Sequence, residues 1–373
     1  MYVTNELSME VQSLSVQQTE DWRESHCAHK FENFMQMPAW IRGAWENFHR
    51  YQPGVDQNLG FHRLVGLAAD NTPIGGLAWY RQFRHGMNWW KLVGSGAICS
   101  DYVSPNCWDG FELSFANKLA EYFDGLVRNT RGFSQGLEIE GHLSTDVFWD
   151  RLIQEFKTKG WLVSTSEIEG GWRVDLPTDW RRYEEMLHRS RRRKARRAVR
   201  MFEDGLVELR VCRSAEEISK WWPEFVRLHQ MRRELLNQPG CFSSVHFENF
   251  LRNATLELAQ QNCCALYLVC HHSEPIAALL VFESSDTSFT YQSGIDVSKL
   301  NLEPGHIVNA AAIQDAIARG QRRFDFMRGD EAYKAGWLAQ RIPLYRTRLF
   351  PPSLVGRGIV SVLGLQHRIR KMF

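Results

Sequence analysis

The residues with the clearest chemical potential in this chain lie between Phe324 and Trp337, in the run FDFMRGDEAYKAGW. Phe324-Asp325-Phe326-Met327 reads as a short buried strand, and Arg328, Asp330, Glu331 and Lys334 follow it directly. In an open α/β sheet, ligands bind beyond the carboxyl ends of strands. Carboxylates there can move protons, and cations there can hold an anionic group. Burial beside Phe324 and Phe326 raises an acidic pKa unless Arg328 or Lys334 offsets it. Asp325 and Glu331, with Asp330 and the more distant His306, are therefore the candidate acids or bases, and no base is chosen among them. The same letters also fit a solvated turn in which Asp330 caps the next helix, and Asp325 also fits a structural salt bridge to Arg328 or to a basic helix upstream. Lys334 has two carboxylates nearby, which argues against a low pKa, so it reads as an anion-binding residue, and Arg328, Asp330 and Lys334 together are candidate substrate-binding residues.

The elements that must position this cluster form an unbroken series: a strand at Phe289–Gly294, a turn at Leu302-Glu-Pro-Gly305, an Ala-rich helix His306–Arg319, and then the strand itself. Upstream come a strand at Val207–Cys212, helices at Ala215–Leu236 and Val245–Gln260, and strands at Cys264–Cys270 and Pro275–Glu283. The first half predicts a helix over Phe34–His49, strands at Phe61–Ala69, Ile74–Phe83 and Trp89–Val93, and a Gly94-Ser-Gly96 turn. Helices near Trp108–Val127 and Val147–Lys157 and strands at Gly136–Ile139 and Trp161–Thr165 complete that half. A last strand is expected at Leu344–Leu349. Boundaries are drawn at 1–178 for a first domain, 179–350 for a second, and 351–373 for a basic amphipathic tail.

Between the halves, DWRRYEEMLHRSRRRKARRAVRMFE (Asp179–Glu203) is the strongest charge anomaly. Its apolar residues fall at helical spacing, so residues 180–203 predict a basic amphipathic helix. Arginine forks suit phosphate and carboxylate. The helix, with Arg192 as its representative, is a candidate wall for phosphates of a cofactor, a nucleotide-linked substrate, tRNA or a lipid. Local ion pairing of a solvated helix is the competing account.

Composition narrows the classes. The 373 residues allow two domains, and 44% hydrophobic with 24% charged residues describes a globular chain. A net charge of +2 supplies no global field for nucleic acid, and DNA binding is not expected. The eight cysteines show no CxxC pair, so no metal site and no disulfide framework is expected. The fourteen tryptophans are expected to fill cores or line a groove. The first residues lack a secretory pattern and no long apolar run occurs, which leads to the expectation of a soluble, cytoplasmic protein.

The second-half order of elements resembles the GNAT acyltransferase fold. FDFMRGDEAYKAGW resembles the terminal motif of its CelD-like branch, associated with cellulose biosynthesis. The resemblance extends to the basic helix Tyr183–Phe202, to His229-Gln-Met-Arg232-Arg233 and Pro239-Gly240-Cys-Phe242, and to Pro304-Gly305-His306. The first half, with Met37-Pro-Ala-Trp40 and Gly94-Ser-Gly96, resembles the companion domain, and the tandem arrangement is similar to Fem-type aminoacyltransferases. The resemblance implies an α/β (α+β) fold of tandem GNAT-like domains, each a mixed, mostly antiparallel sheet flanked by helices. It places a groove between the strands at Ser288–Ser293 and Arg322–Met327, lined by Tyr291 unless that ring is core. Pro304, Gly305 and His306 then face the pyrophosphate of acetyl-CoA or another acyl-CoA. Glu303 would repel that group unless it turns away, and the usual glycine-spaced phosphate loop is absent. His229 and Arg232 fall on the acceptor side. The expected activity is acyl transfer, N-acetylation foremost, to an amino sugar or nucleotide-linked carbohydrate precursor in envelope or polysaccharide synthesis. Two alternatives remain: an aminoacyl-tRNA-dependent Fem-type transferase, and a non-catalytic GNAT-fold binding protein. The tail Val355–Phe373 reads first as a packed terminal helix, with peripheral membrane contact as its other reading.

Overall fold

The computed structural model describes residues 10–14, 33–57, 60–67, 73–107, 110–129 and 135–352. The tail from residue 353 on, read first as a packed terminal helix and second as a lipid contact, lies outside the described residues. The chain forms two compact units. One comprises His49–Ile168 with the first strand and the residues from Pro343 on, the other Lys30–Phe48 and Glu169–Ile342.

The first unit holds β1 (Glu10–Leu14), β2 (Phe61–Leu67), β3 (Pro73–Arg84), β4 (Met87–Leu92), β5 (Asn106–Cys107), β6 (Gln135–His142), β7 (Leu162–Glu167) and β15 (Tyr345–Phe350). Their order is β1-β2-β3-β4-β6-β15-β7, with β5 beside β3. Among the described strands of this sheet, only β4 and β6 pair in parallel. Two helices, numbered here in chain order after α1 (Pro38–Asn47) of the other unit, cover the sheet: α2 (Glu112–Asn129) and α3 (Val147–Thr158). Phe115, Leu119 and Phe123 of α2 and Phe148, Trp149, Leu152 and Phe156 of α3 recur at helical spacing and bury against Trp79, Trp90, Leu137 and Ile139. The tryptophans bring their donors with them. Trp90 Nε1 donates to Gln135 Oε1 at 2.8 Å and Trp149 Nε1 to the Val103 carbonyl at 2.7 Å.

The second unit holds β8 (Gly171–Asp175), β9 (Glu208–Cys212), β10 (Cys264–His271), β11 (Glu274–Glu283), β12 (Thr287–Ile295), β13 (Arg323–Arg328) and β14 (Gln340–Ile342). Their order is β14-β8-β13-β12-β11-β10-β9, again with one parallel pair, β12 and β13. Its helices, besides α1, are α4 (Trp180–Met186), α5 (Arg189–Glu203), α6 (Ala215–Leu235), α7 (Val245–Gln260) and α8 (Pro304–Ala318). Helix α8 buries Ile307, Val308, Ala310, Ile313 and Ala316 on Tyr267, Ala277 and Leu279 of the sheet, and α5 adds Ala195, Ala198 and Met201 to the same core. Another aromatic group packs Phe34 and Trp40 with Phe250 of α7 and Phe282 of β11.

The tandem, mostly antiparallel α/β architecture is as expected. Its division differs from the expected break at 178. Strand β8 pairs with β13 and β14, while β15, expected to close the second domain, inserts between β6 and β7. Helix α1, expected in the first domain, belongs to the second unit. The expected helix over residues 180–203 is broken in two. Leu187 and His188 are extended, so α4 ends at Met186 and α5 starts at Arg189.

Candidate functional site

The parallel pair of the second unit opens. Strands β12 and β13 match at Thr287↔Arg323, Ser288↔Phe324 and Phe289↔Asp325, after which β12 continues to Ile295 and β13 to Arg328 with no further pairing. Both strands carry irregularities where they diverge. The β11–β12 register shifts between Leu280 and Val281, leaving Tyr291 as the extra residue, and the β13–β8 register shifts between Asp325 and Arg328. Met327 sits in this second bulge with φ 58°. The inner edge of β12 from Thr290 on therefore offers backbone groups that have no ladder partner on β13.

Asp325 holds the bulge in place. Fully buried, it accepts from the Met327 N–H at 2.7 Å and from Arg173 Nε at 2.8 Å. Burial raises its pKa, against the opposing charge and hydrogen bond of Arg173 and the Met327 N–H. The salt bridge it makes among the described residues runs to Arg173 of β8. Lys334 is buried too. Its ammonium donates to the carbonyls of Met327, Arg328 and Gly329 at 3.2, 3.1 and 2.9 Å and pairs with Glu331 at 2.9 Å. Those four acceptors use every proton of the ammonium, so the expectation that Lys334 grips an outside anion is corrected. Asp330, exposed at the surface, is also engaged within the chain, taking Arg341 at 2.8 Å and Trp172 Nε1 at 3.1 Å. The Arg341 hydrogen bond leads the effects that hold its pKa at about 2. The terminal motif brings Asp325, Asp330, Glu331 and Lys334 together as a clasp on the end of β13, with Arg328 half-buried beside them. Tyr291 is set among rings, 5.1 Å from Trp40 and 5.8 Å from Phe282 between centroids, which is a packing position.

A second cluster forms where α8 begins. Glu303, with φ 60° and ψ 50°, caps the helix, Pro304 occupies its first position, and the N–H groups of His306 and Ile307 both bond to the Glu303 carbonyl. Gly305 is left as the first-turn N–H with no backbone acceptor among the described residues. Three cations of α5 converge here. Arg191 donates to His306 Nδ1 at 2.6 Å, Lys194 pairs with Glu303, and Arg197 reaches Glu303 at 3.2 Å. Glu303 therefore turns toward α5. Burial would raise its pKa, but Lys194 and the neighbouring cations win and hold it below the usual range. Burial, Arg191 and Lys194 together push His306 down to about 4, so its ring is a neutral acceptor. Arg191 also lies 5.1 Å over the Trp337 ring.

The basic charge was legible in the sequence, but the residues facing α8 are Arg191, Lys194 and Arg197 and not Arg192. The signal that finds them is position: they flank the buried stripe Ala195, Ala198 and Met201. Arg192 instead donates to the Glu185 and Leu187 carbonyls at the end of α4, a capping role. The outer side of α5 lines an open concavity of about 840 Å³ with His188, Arg189, Ser190, Arg192, Arg193, Arg196 and Arg200.

On α6, His229 is buried. Burial lowers its pKa to about 4, opposed by a hydrogen bond to Gln230, helped by Arg233, and opposed again by Gln292 of β12. Gly294 explains the fit: a Cβ there would collide with the His229 backbone. His229 is thus seated on the diverging half of β12. Arg232 is half-buried one turn further on. Among the described residues no group of three His, Cys, Asp or Glu is placed to hold a metal ion, and no helix is long and apolar enough to cross a membrane.

Comparisons with known proteins agree with this geometry. No curated protein matches the sequence. The profile of the acetyltransferase (GNAT) domain matches residues 189–335, from the start of α5 to the clasp. Among solved structures, FemX is similar over 90% of this chain and 96% of its own, at 11% identity and a TM-score of 0.59. The C-terminal domain of a lysylphosphatidylglycerol synthetase from Agrobacterium fabrum is similar over 86% and 94%, at 9% identity and a TM-score of 0.50. A tandem GNAT protein from the clavulanic acid pathway aligns over 92% and 99%, at 9% identity and a TM-score of 0.46. The chain shares the fold of FemX over most of its length, and its second unit carries a match to the acetyltransferase (GNAT) domain across the opened strand pair.

Proposed function

We propose that the chain is an acyltransferase that moves an acyl group, acetyl foremost, from a coenzyme A thioester to an amine or hydroxyl of a carbohydrate acceptor. The acceptor class is an amino sugar or nucleotide-linked precursor of polysaccharide or envelope synthesis, as the CelD-like resemblance implies. One observation supports this reading above the others: β12 and β13 part after Phe289 and Asp325 while α8 begins at the mouth of the gap. The unpaired edge of β12 offers N–H donors for a thioester carbonyl, where developing charge gains most from fixed dipoles. Arg191, Lys194 and Arg197 fit a pyrophosphate, which would compete with Glu303 for two of them. A coenzyme A donor supplies an activated acyl group. This chain's own residues would hold its phosphates, align its carbonyl and bring the acceptor to it. The test is release of free coenzyme A from acetyl-CoA with a panel of amino sugars and nucleotide sugars. Turnover dependent on acceptor, and lost in Arg191→Ala/Lys194→Ala, is the expected result; the absence of turnover and of acetyl-CoA binding would remove the thioester from consideration.

A second reading, an aminoacyl-tRNA donor, has its own support. Arg189, Arg193 and Arg200 lie on one stripe of α5 along the open concavity and have no hydrogen-bond or ion-pair partner among the described residues. Contacts to phosphates by three arginines would give tRNA binding a log–log salt slope of about −2 to −3. Salt-insensitive or absent tRNA binding rejects this alternative.

A further inference from the structure

Helix α6 and the short turn after it contain a chain of hydrogen bonds that acyl-CoA binding leaves unexplained. The Cys241 thiol lies 3.6 Å from His229 Nε2. His229 Nδ1–H donates to Gln230 Oε1 at 3.0 Å. Gln230 Nε2 in turn donates to the Pro239 carbonyl at 3.0 Å, which fixes which end of the amide faces the histidine. The tautomer follows. With its proton on Nδ1, the imidazole presents a lone pair on Nε2 to the thiol, the arrangement needed for a base that activates a sulfur nucleophile. The sequence is shaped around it: Gly240 has φ 70°, and a Cβ there would collide with Gln230 Oε1. Cys241 is half-buried rather than sealed in, and His229 rests on the diverging half of β12, through Gly294 and Gln292.

We propose that Cys241 is a nucleophile that takes the acyl group from the donor before the acceptor receives it, with His229 as its base and Gln230 as the residue that positions the base. The proposal rests on the acyl-transfer reading but not on which donor is used. In the first half-reaction Cys241 Sγ attacks the donor carbonyl, the thiol proton passes to His229 Nε2, and the bond from carbonyl to leaving group breaks. The leaving thiolate or alkoxide takes the proton from His229, and an S-acyl cysteine remains. In the second, the acceptor amine or hydroxyl attacks the thioester and gives its proton to Nε2. Cys241 leaves as a thiolate and is reprotonated. Atoms and charges balance with no further reactant.

Selectivity for this thiol has a physical basis. Burial pushes Cys212 up to about 11 and raises Cys263, Cys264 and Cys270, and none of these has a histidine at its sulfur among the described hydrogen bonds. His229, held near 4 by burial, is neutral at pH 7, so its Nε2 lone pair faces the Cys241 thiol.

The experiment treats the full chain, without acceptor, with p-nitrophenyl acetate and separately with acetyl-CoA, followed by intact mass measurement and peptide mapping. The expected result is one acetyl group per chain on Cys241, none in Cys241→Ala, and a p-nitrophenolate burst slowed about a hundredfold in His229→Gln. Gln230→Ala should slow the burst about tenfold and alter its pH profile, with recovery in Gln230→Glu, an outcome that a merely structural role would not produce. Labelling of Cys241 by p-nitrophenyl acetate but not by acetyl-CoA keeps the nucleophile and rejects the coenzyme A donor. Acetyl-CoA turnover unchanged in Cys241→Ala overturns the nucleophile and leaves the acyltransferase reading intact. Should the variants fail to fold, alkylation of the wild-type chain with iodoacetamide decides. Cys241 reacting fastest of the cysteines supports the proposal, and Cys241 reacting no faster than Cys99 or Cys107 refutes it.

Discussion

The two units share a strand plan and differ in one joint. Each sheet has a single parallel pair flanked by antiparallel strands. In the first unit that pair stays closed: β4 and β6 match from Asn88↔Gln135 to Lys91↔Glu138, and β4 ends one residue later. The last matched residues are ion-paired, Lys91 to Glu138 at 3.2 Å, and Glu138 also takes Arg348 at 2.6 Å. The chain then turns at Gly94, whose N–H donates to His49 Nε2 at 2.9 Å, and buries Ile98, Ser100 and Asp101. Two backbone donors of the Gly94-Ser-Gly96 turn are thus spent internally, the Gly94 N–H on His49 and the Ser95 N–H on the Leu92 carbonyl. In the second unit the pair parts after three matches, and the irregularities at Tyr291 and Met327 direct the strands away from each other. One topology therefore yields a closed scaffold or an open groove, depending on whether charged side chains clamp across the pair or tie each strand to its outer neighbour. Asp325 does the latter, reaching Arg173 on β8.

Removing the clasp has the largest expected effect on the open pair. Lys334→Met strands three buried carbonyls and should cost about 3 kcal/mol in urea unfolding, with loss of donor binding as the end of β13 is released. Lys91→Met in the closed unit leaves Glu138 its Arg348 partner. About 1 to 2 kcal/mol is expected there, with donor affinity unchanged.

Changes at the mouth of the groove are smaller and act on affinity. Arg191→Ala should weaken acetyl-CoA binding about tenfold, through a lost charge-assisted contact. Glu303→Gln should strengthen it by a similar factor, since the pyrophosphate no longer competes with a carboxylate for Lys194 and Arg197. Weaker binding by Glu303→Gln in a titration would mean that the carboxylate organises the site and does not compete for it.

A further effect is on pH. His229 and His306 have folded pKa values near 4, below the unfolded value near 6.5, so between these limits the unfolded chain binds more protons. Stability should be fully present above pH 6.5 and be lost as pH falls toward 4. His49, held near 3 by burial and Lys91, extends the loss further in the first unit. Thermal melting between pH 7 and 4 measures this, and a midpoint that rises on acidification would contradict it.

Much of the fold was legible because strands and helices announce themselves by period. Phe115, Leu119 and Phe123, or Ile307, Ala310 and Ile313, could face only a core. What the pattern lacks is partnership. Nothing in Tyr345–Phe350 says that it pairs with β6 and β7, nor in Gly171–Asp175 that it pairs with β13. The site shows the same limit. The carboxylates and lysine of the terminal motif were visible as a cluster, but whether they face a ligand or each other depends on a bulge with a left-handed Met327, which no spacing reveals. Cys241 escaped notice because its histidine is twelve residues away, across a helix end and a glycine turn.

The most direct test of the difference between the units is calorimetric titration of the full chain with desulfo-CoA. One site per chain is expected, abolished by Gly305→Trp at the start of α8 and retained in Gly96→Ala at the corresponding turn of the first unit. Two sites per chain, or a single site that survives Gly305→Trp, would contradict it.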